Sequence, residues 1–233
     1  MLIDLKEIVK KYSLNIKGVI QVGAHWAEEH NELVSLGVER FLYIEPCRES
    51  YKKMLDKIGG NGMSDMSRPC SSNETIWDGL LTREKQSIIF GNVACGDIEG
   101  EMEMYVSPNN QGQSNSLLKP YLHLSQHPEV VFSEKELVRI MTLDNIVKYK
   151  GQYNLLMMDV QGAEGLVLKG ATETLKHIDC IYTEVNRDYT YEGNMLIDEM
   201  DEYLYNFGFI RVETYWPSPM WSWGDAIYLK QIA

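Results

Sequence analysis

The sequence predicts an α/β domain: a mainly parallel sheet with helices on both faces, closed by a C-terminal antiparallel hairpin. Two patterns lead to this expectation. Short apolar strands alternate with amphipathic helices along most of the 233 residues, which favours parallel strands joined by crossover helices. The run "YNLLMMDV", residues 153–160, is apolar almost throughout, as suits a strand covered on both faces. The end, residues 209–230, reads as two strands around an aromatic loop, and such a hairpin puts an antiparallel strand into the sheet.

The elements follow in order. Asp4 with Glu7 forms a capping pair for a helix within residues 1–17, with Leu5, Ile8, Val9 and Tyr12 on one face. "GVIQVG" is the first strand, and "AEEHNELVSLG" a helix with acids in its first turn and Gly37 as its stop. "RFLYIEP" is the second strand and "RESYKKMLDKI" the second crossover helix. Residues 59–86 have no period and are rich in Gly, Ser and Asn, which reads as an insertion loop. "SIIFGNVACG" resumes as the third strand, and "GEMEMYVS" alternates as an extra antiparallel one. Residues 107–138 read as a loop and short helices over the site. "AEGLVLKGATETLKHI" is a helix, "DCIYTEV" a strand and "NMLIDEMDEYLYNFG" the last helix. The length suits one domain spanning 1–233.

Composition narrows the partners. Lys and Arg total 22 against 34 Asp and Glu, a net charge of −12. Such a surface repels phosphate backbones and anionic lipid headgroups, so neither nucleic acid nor a membrane is expected as a partner. No stretch reaches the ~18 apolar residues of a membrane span. The charged start "MLIDLKEIVKKYS" does not read as a signal peptide. Cys47, Cys70, Cys95 and Cys180 are widely separated, with no zinc or disulfide spacing. The expected compartment is the cytoplasm.

The chemistry centres on strand ends. Gly23 ends strand one, and Glu45 stands 22 positions later at the end of strand two. In doubly wound sheets ligands bind outside the carboxyl ends of the strands, and an acid at that spacing accepts from ribose hydroxyls. The GxGxxG fingerprint of a pyrophosphate cradle is absent, since His25 stands where its second glycine would be and neither Ala27 nor Glu28 supplies the third. This disfavours a nucleotide-sugar or NAD oxidoreductase.

The second half carries a family resemblance. "MTLDNIV", "YNLLMMDVQGAEGLVLKGA" and "IYTEVN" occur in that order. With "VIQVGAHWAEE", "YIEP", "NVACGDIEGEMEMYV", "QGQSNSLL" and "WGDAIYL", they resemble the FkbM family of S-adenosylmethionine-dependent O-methyltransferases from about residue 18 to 229. The resemblance implies a Rossmann-like, seven-stranded class I methyltransferase sheet. It also implies S-adenosylmethionine as cofactor and transfer of its methyl to a hydroxyl of a sugar, a glycoconjugate or another hydroxylated small molecule. This sequence departs from the family's first-strand motif at Gln21, His25 and Ala27. Ala27 is compatible with the turn if its φ is negative, and Gln21 keeps a carbonyl for an ammonium. The expected cofactor residues are Gln21, Gly23, Ala24, His25, Glu45, Pro46, Ala94, Asp97, Ser116, Asp159 and Val160.

Asp159, Glu184 and Asn186, ending two strands, are the expected catalytic residues. Two arrangements stay open. Asp159 or a nearby histidine acts as general base, or the three residues bind Mg²⁺ or Mn²⁺, which acidifies the hydroxyl. Asp159 could instead cap the next helix, and Glu164 could simply favour its dipole. His123 and His127 read as surface or packing residues, and His30 as incidental. Trp216, Trp221 and Trp223 suit sugar C–H faces, and the loop with Arg187, Asp188, Tyr189 and Tyr191 suits an acceptor. A module that has lost catalysis and serves a glycosyltransferase remains an alternative, and a homo-oligomer is allowed.

Overall fold

A computed structural model describes residues 1–59, 77–83 and 86–231. Helix α1 (Leu5–Lys11) is capped by Asp4, whose carboxylate accepts from the amides of Lys6 and Glu7. Strand β1 (Gly18–Val22), helix α2 (His30–Ser35), strand β2 (Arg40–Ile44) and helix α3 (Arg48–Gly59) follow. Next come β3 (Trp77–Arg83), β4 (Gln86–Gly91), β5 (Ala94–Cys95), β6 (Gly100–Val106), α4 (His123–Gln126) and β7 (Glu134–Met141). The chain ends with α5 (Leu143–Ile146), β8 (Leu155–Met158), α6 (Glu164–Lys169), β9 (Cys180–Asn186), α7 (Ile197–Tyr205), β10 (Phe209–Tyr215) and β11 (Trp223–Lys230).

The main sheet runs β10-β11-β9-β8-β1-β2-β4-β3. The pairs from β4 through β2, β1 and β8 to β9 are parallel, and β11 is antiparallel to both β9 and β10. Seven strands make the expected class I methyltransferase order. The eighth, β3, pairs antiparallel with β4 at the edge, where the sequence reading had a loop. The rest of that insertion, residues 60–76 and 84–85, lies outside the described residues. Ile20, Val22, Leu156 and Met158 face α5, α6 and α7, while Val19, Leu155 and Met157 face α1, α2 and α3. The period of two thus buries both faces of each central strand.

The extra antiparallel strand expected at "GEMEMYVS" is β6, which pairs antiparallel with β7 in a small sheet of order β5-β7-β6. Other differences have local causes. Strand β7 begins at Glu134, inside the stretch read as loop and short helices; Val138 and Ile140 point inward while Leu137 and Arg139 are exposed. Helix α2 starts at His30 because Ala27, read as its first residue, has φ 48°, a left-handed conformation that no helix accommodates. The helix read through residue 178 stops at Gly170, followed by a 3-10 turn at Thr174–His177. A Cβ on Gly170 would stand 2.0 Å from the carbonyl oxygen of Gly96. No helix among the described residues is long and apolar enough to cross a membrane. The described cysteines, Cys47, Cys95 and Cys180, are buried and unpaired.

Among the described glycines, Gly23, just after β1, has the closest approach. Its φ is 73°, and a Cβ there would lie 1.9 Å from the carbonyl oxygen of Asp159. A left-handed residue costs about 1–2 kcal/mol and overpacking about 1–3 kcal/mol. Gly23→Ala should therefore cost about 2–5 kcal/mol, read as a lower urea midpoint; an unchanged midpoint would refute the close approach.

Candidate active site

The first-strand turn is held by strand β2. The amides of Gly23 and Ala24 both donate to the Ile44 carbonyl, each at 2.9 Å. The next turn residues take unusual dihedrals, with φ 47° at His25 and 48° at Ala27. Ala27 does not have the negative φ expected of it, so it occupies a glycine-type conformation at some cost in strain. Gly23 is required by contact with Asp159, whatever cofactor approaches it. The buried Glu45 carboxylate accepts from the amides of His25 at 2.8 Å and Cys47 at 2.9 Å. It thereby ties the turn after β1 to the entry of α3. Burial pushes its pKa up to about 7, against the pull of those two amides.

His25 joins neighbouring loops. Its Nδ1 lies 2.8 Å from Glu28 Oε1, and its Nε2 lies 2.9 Å from the Gln111 carbonyl. Burial lowers its pKa, but Glu28 and Gln111 outweigh this and the net shift is upward. Gln21 is buried; its Nε2 donates to Glu29 at 2.9 Å while its Oε1 has no partner.

A group of acids gathers at the ends of β8, β9 and β11. The Gln161 amide donates to Asp159 Oδ1 at 2.8 Å and to Glu184 Oε2 at 3.1 Å. Asn186 approaches Glu184 Oε1 at 3.4 Å, and its Oδ1 has no partner. Asp225 accepts from Tyr182 at 2.8 Å. Burial raises the proton affinity of Asp159, Glu184 and Asp225, and in Glu184 repulsion from Asp159 and Glu164 adds to it. Asp159 caps no helix. The N-cap of α6 is Ala163, with no side-chain cap bond; Glu164, buried in the first turn, accepts from the Val160 amide at 2.9 Å. Burial pushes the Glu164 pKa up to about 7.

The metal arrangement does not fit. A side-chain amide stands between Asp159 and Glu184, the two carboxylates that would have to hold a divalent ion. Among the described residues, no three His, Cys, Asp or Glu are placed to hold an ion. Asn186 turns an amide hydrogen, not its carbonyl, toward Glu184.

These residues surround a cavity of about 580 Å³, within the range of small-molecule sites. Gln21, Gly23, Ala24, His25, Glu45 and Pro46 line one side. Ala94, Asp159, Val160 and Glu184 continue the wall. Three of the expected residues are placed elsewhere. Asp97 is exposed, in the turn that joins β5 to β6 within the small sheet. Ser116 is buried behind the wall, donating to the Gln161 carbonyl at 2.7 Å, and Asn186 is buried beneath Glu184.

Other lining residues were missed or misread. His123 and His127, read as surface or packing residues, both line the cavity with Ser114, Gln161, Thr190 and Trp223. Met1 and Leu2 line it too, and the Leu2 amide donates to Asp225. The side chain of Arg187 donates to the carbonyls of Ser218, Pro219 and Trp221 and lies over Trp216. It therefore clamps the hairpin loop. The "QGAEG" turn was the available signal for Gln161, since Gln161 and Gly162 both have positive φ, 53° and 94°.

Strand order, a cavity at the strand ends and an acid ending β2 define a class I methyltransferase fold. The family model described as "Methyltransferase FkbM domain" matches residues 21–211, and the chain belongs to that family. The 2-O-methyltransferase NoeI of Sinorhizobium fredii (strain NBRC 101917 / NGR234) is 33% identical over 123 residues, which are 49% of this chain and 50% of NoeI. The match thus spans half the length of that relative. Among solved structures, the Synechocystis PCC 6803 magnesium protoporphyrin IX methyltransferase with bound SAM is similar at TM-score 0.49 and 9% identity, covering 97% of this chain and 76% of that one. The ribosomal protein L11 methylase of Lactobacillus delbrueckii subsp. bulgaricus is similar at TM-score 0.47 and 9% identity, covering 96% and 75%.

The buried acids give a sign for pH. Glu45 holds its proton to about pH 7 in the fold, against an ordinary 4.5. A raised carboxyl contributes stability that is complete below the ordinary value and lost as pH rises through the folded one. At about 1.4 kcal/mol per unit the loss is on the order of 3 kcal/mol. The ligand-free protein should be more stable at pH 5 than at pH 8, and Glu45→Gln should flatten the urea-midpoint profile. A profile that the substitution leaves unchanged would exclude a protonated Glu45.

Proposed function

We propose that the protein transfers a methyl group from S-adenosylmethionine to a hydroxyl of a sugar or glycoconjugate. One observation carries the reading. A single cavity joins the acidic end of β2, beside the first-strand turn, to buried carboxylates at the ends of β8 and β9. Membership of the methyltransferase family supports methyl transfer. The match to a 2-O-methyltransferase supports oxygen as the acceptor atom. A hydroxylated natural product other than a sugar is the second reading.

The residues fit the cofactor. Gln21 offers an unpartnered, buried carbonyl oxygen in the cavity wall, suited to an ammonium. Glu45 receives two amides, and a carboxylate has about four acceptor positions, so capacity remains for ribose hydroxyls. When bound, the cofactor supplies a methyl group made electrophilic by its sulfonium. The acidic lining favours a positive charge there.

The remaining work is done by the chain. Gln161 orients Asp159 and Glu184 with one amide. Two buried acids that repel each other do not ionise together, so the pair shares protons. The ionised member takes the proton of the acceptor hydroxyl while the cavity walls hold that oxygen in line with the methyl group. The reading is of a cytosolic enzyme, which the buried, unpaired thiols among the described residues support. It is compatible with a glycosyltransferase or a second copy of the chain as a partner.

Asp159→Asn keeps the shape but removes the base. Turnover should fall by about 10²–10⁴, the usual contribution of a general base. Calorimetric affinity for S-adenosylhomocysteine should change less than tenfold. Near-normal turnover would remove Asp159 from the role. EDTA should leave the rate unchanged, because no step here uses a metal; a rate lost with EDTA and restored by Mg²⁺ would return the metal arrangement.

A further inference from the structure

Two residues of the far wall carry buried polar atoms without a partner. Among the described residues, His123 Nδ1 and Thr190 Oγ1 have no hydrogen-bond partner. Both residues line the cavity, at 4% and 1% exposure. Orphaned buried groups are costly in a folded chain, so two on one wall mark a place where a ligand supplies the partners. Both are held in position. His123 Nε2 lies 3.2 Å from Ser114 Oγ, and the His123 amide donates to the Thr190 carbonyl at 3.1 Å.

An aromatic face stands in the same cavity. Trp223 lines it and stacks on Trp221, with centroids 5.5 Å apart and planes 12° apart. The Trp223 indole donates to His127 Nε2 at 3.1 Å, which fixes the ring. A sugar ring has an apolar C–H face and a rim of hydroxyls, matching an aromatic plane beside free hydrogen-bonding groups. The carboxylates of the lining, Glu28, Glu129 and Glu184 among them, outnumber its cations: it holds no described Lys or Arg, and the Met1 ammonium is paired with Glu29 at 3.7 Å. An acidic sugar is therefore repelled. Burial, with His127 nearby, holds the His123 pKa down to about 4, so its imidazole is neutral near pH 7 and suited to binding a hydroxyl.

We propose that His123 and Thr190 form the hydrogen-bonding wall, and Trp223 backed by Trp221 the stacking face, of a subsite for a neutral sugar ring of the acceptor. The inference rests on the methyltransferase reading for the use of the site. It also connects to the base, because Tyr191 packs on His123 at 5.4 Å and donates to Gln161 Oε1 at 2.8 Å.

The test is binding rather than turnover. Tryptophan fluorescence and calorimetry are followed with a panel of neutral methyl hexosides and the matching uronates, with and without S-adenosylhomocysteine. At least one neutral glycoside should bind, and its uronate at least tenfold more weakly. Thr190→Val loses no protein hydrogen bond, so its melting temperature should hold or rise while glycoside affinity falls at least fivefold. Trp223→Leu and His123→Gln should each weaken the glycoside at least tenfold, with S-adenosylhomocysteine affinity within threefold of wild type. The proposal is overturned if no neutral glycoside binds, if uronates bind as well, or if folded Thr190→Val keeps full glycoside affinity. Glycoside binding without any S-adenosylhomocysteine binding would keep the subsite and overturn the methyltransferase reading.

Discussion

The carbonyl oxygen of Asp159 occupies the space a side chain at residue 23 would need. That contact sets the level at which β1 and β8 end side by side, and the rest of the site is arranged around it. From Gly23 the chain turns under Ile44 and presents the His25 amide to Glu45. From Asp159 it turns through two positive-φ residues, Gln161 and Gly162, and swings the Gln161 amide back between the two carboxylates. Gly162 has its own steric demand, since a Cβ there would meet the Tyr191 ring at 2.7 Å. Two glycines thus do for packing what a phosphate-binding loop does for a ligand.

Burying several acids together is expensive, and the structure spreads the cost over amides and hydroxyls. Gln161 serves Asp159 and Glu184, Tyr182 serves Asp225, and backbone amides serve Glu45 and Glu164. None of these partners is a Lys or Arg. The acids therefore keep a raised affinity for protons, the property that proton transfer near neutral pH needs. A buried ion pair would have lowered it.

The peripheral elements complete the cavity. The small sheet β5-β7-β6 packs its apolar face, Ala94, Met104, Val138 and Ile140, against Cys47. Isolated bridges tie Ser116 to Tyr105 and Pro120 to Tyr191. Those ties carry the long connection after β6 over the strand ends and bring His123 to the site. Long connections on a rigid sheet are where binding residues usually sit.

The order of strands and helices was legible because burial imposes a period that each segment shows by itself. The Asp4 cap, the glycine turn and the acids at the strand ends were legible for the same reason, being local chemistry. Strand β7 was legible in principle, through the alternation of Leu137, Val138, Arg139 and Ile140, but its charged start masked it. The Ala27 conformation was not legible, because a dihedral angle leaves no trace in a residue name when the favoured glycine is absent.

By itself, then, the sequence determined the doubly wound sheet, its hairpin and the acidic strand ends. Only the tertiary structure decided that Asp97 faces solvent, that Gln161 stands where an ion was expected, and that His123, Thr190 and Trp223 share one wall. Those three residues begin the short helix α4, lie in the loop after β9 and begin β11, three segments with no common period. Their meeting depends on how each segment packs on the finished sheet, which is a property of the whole fold.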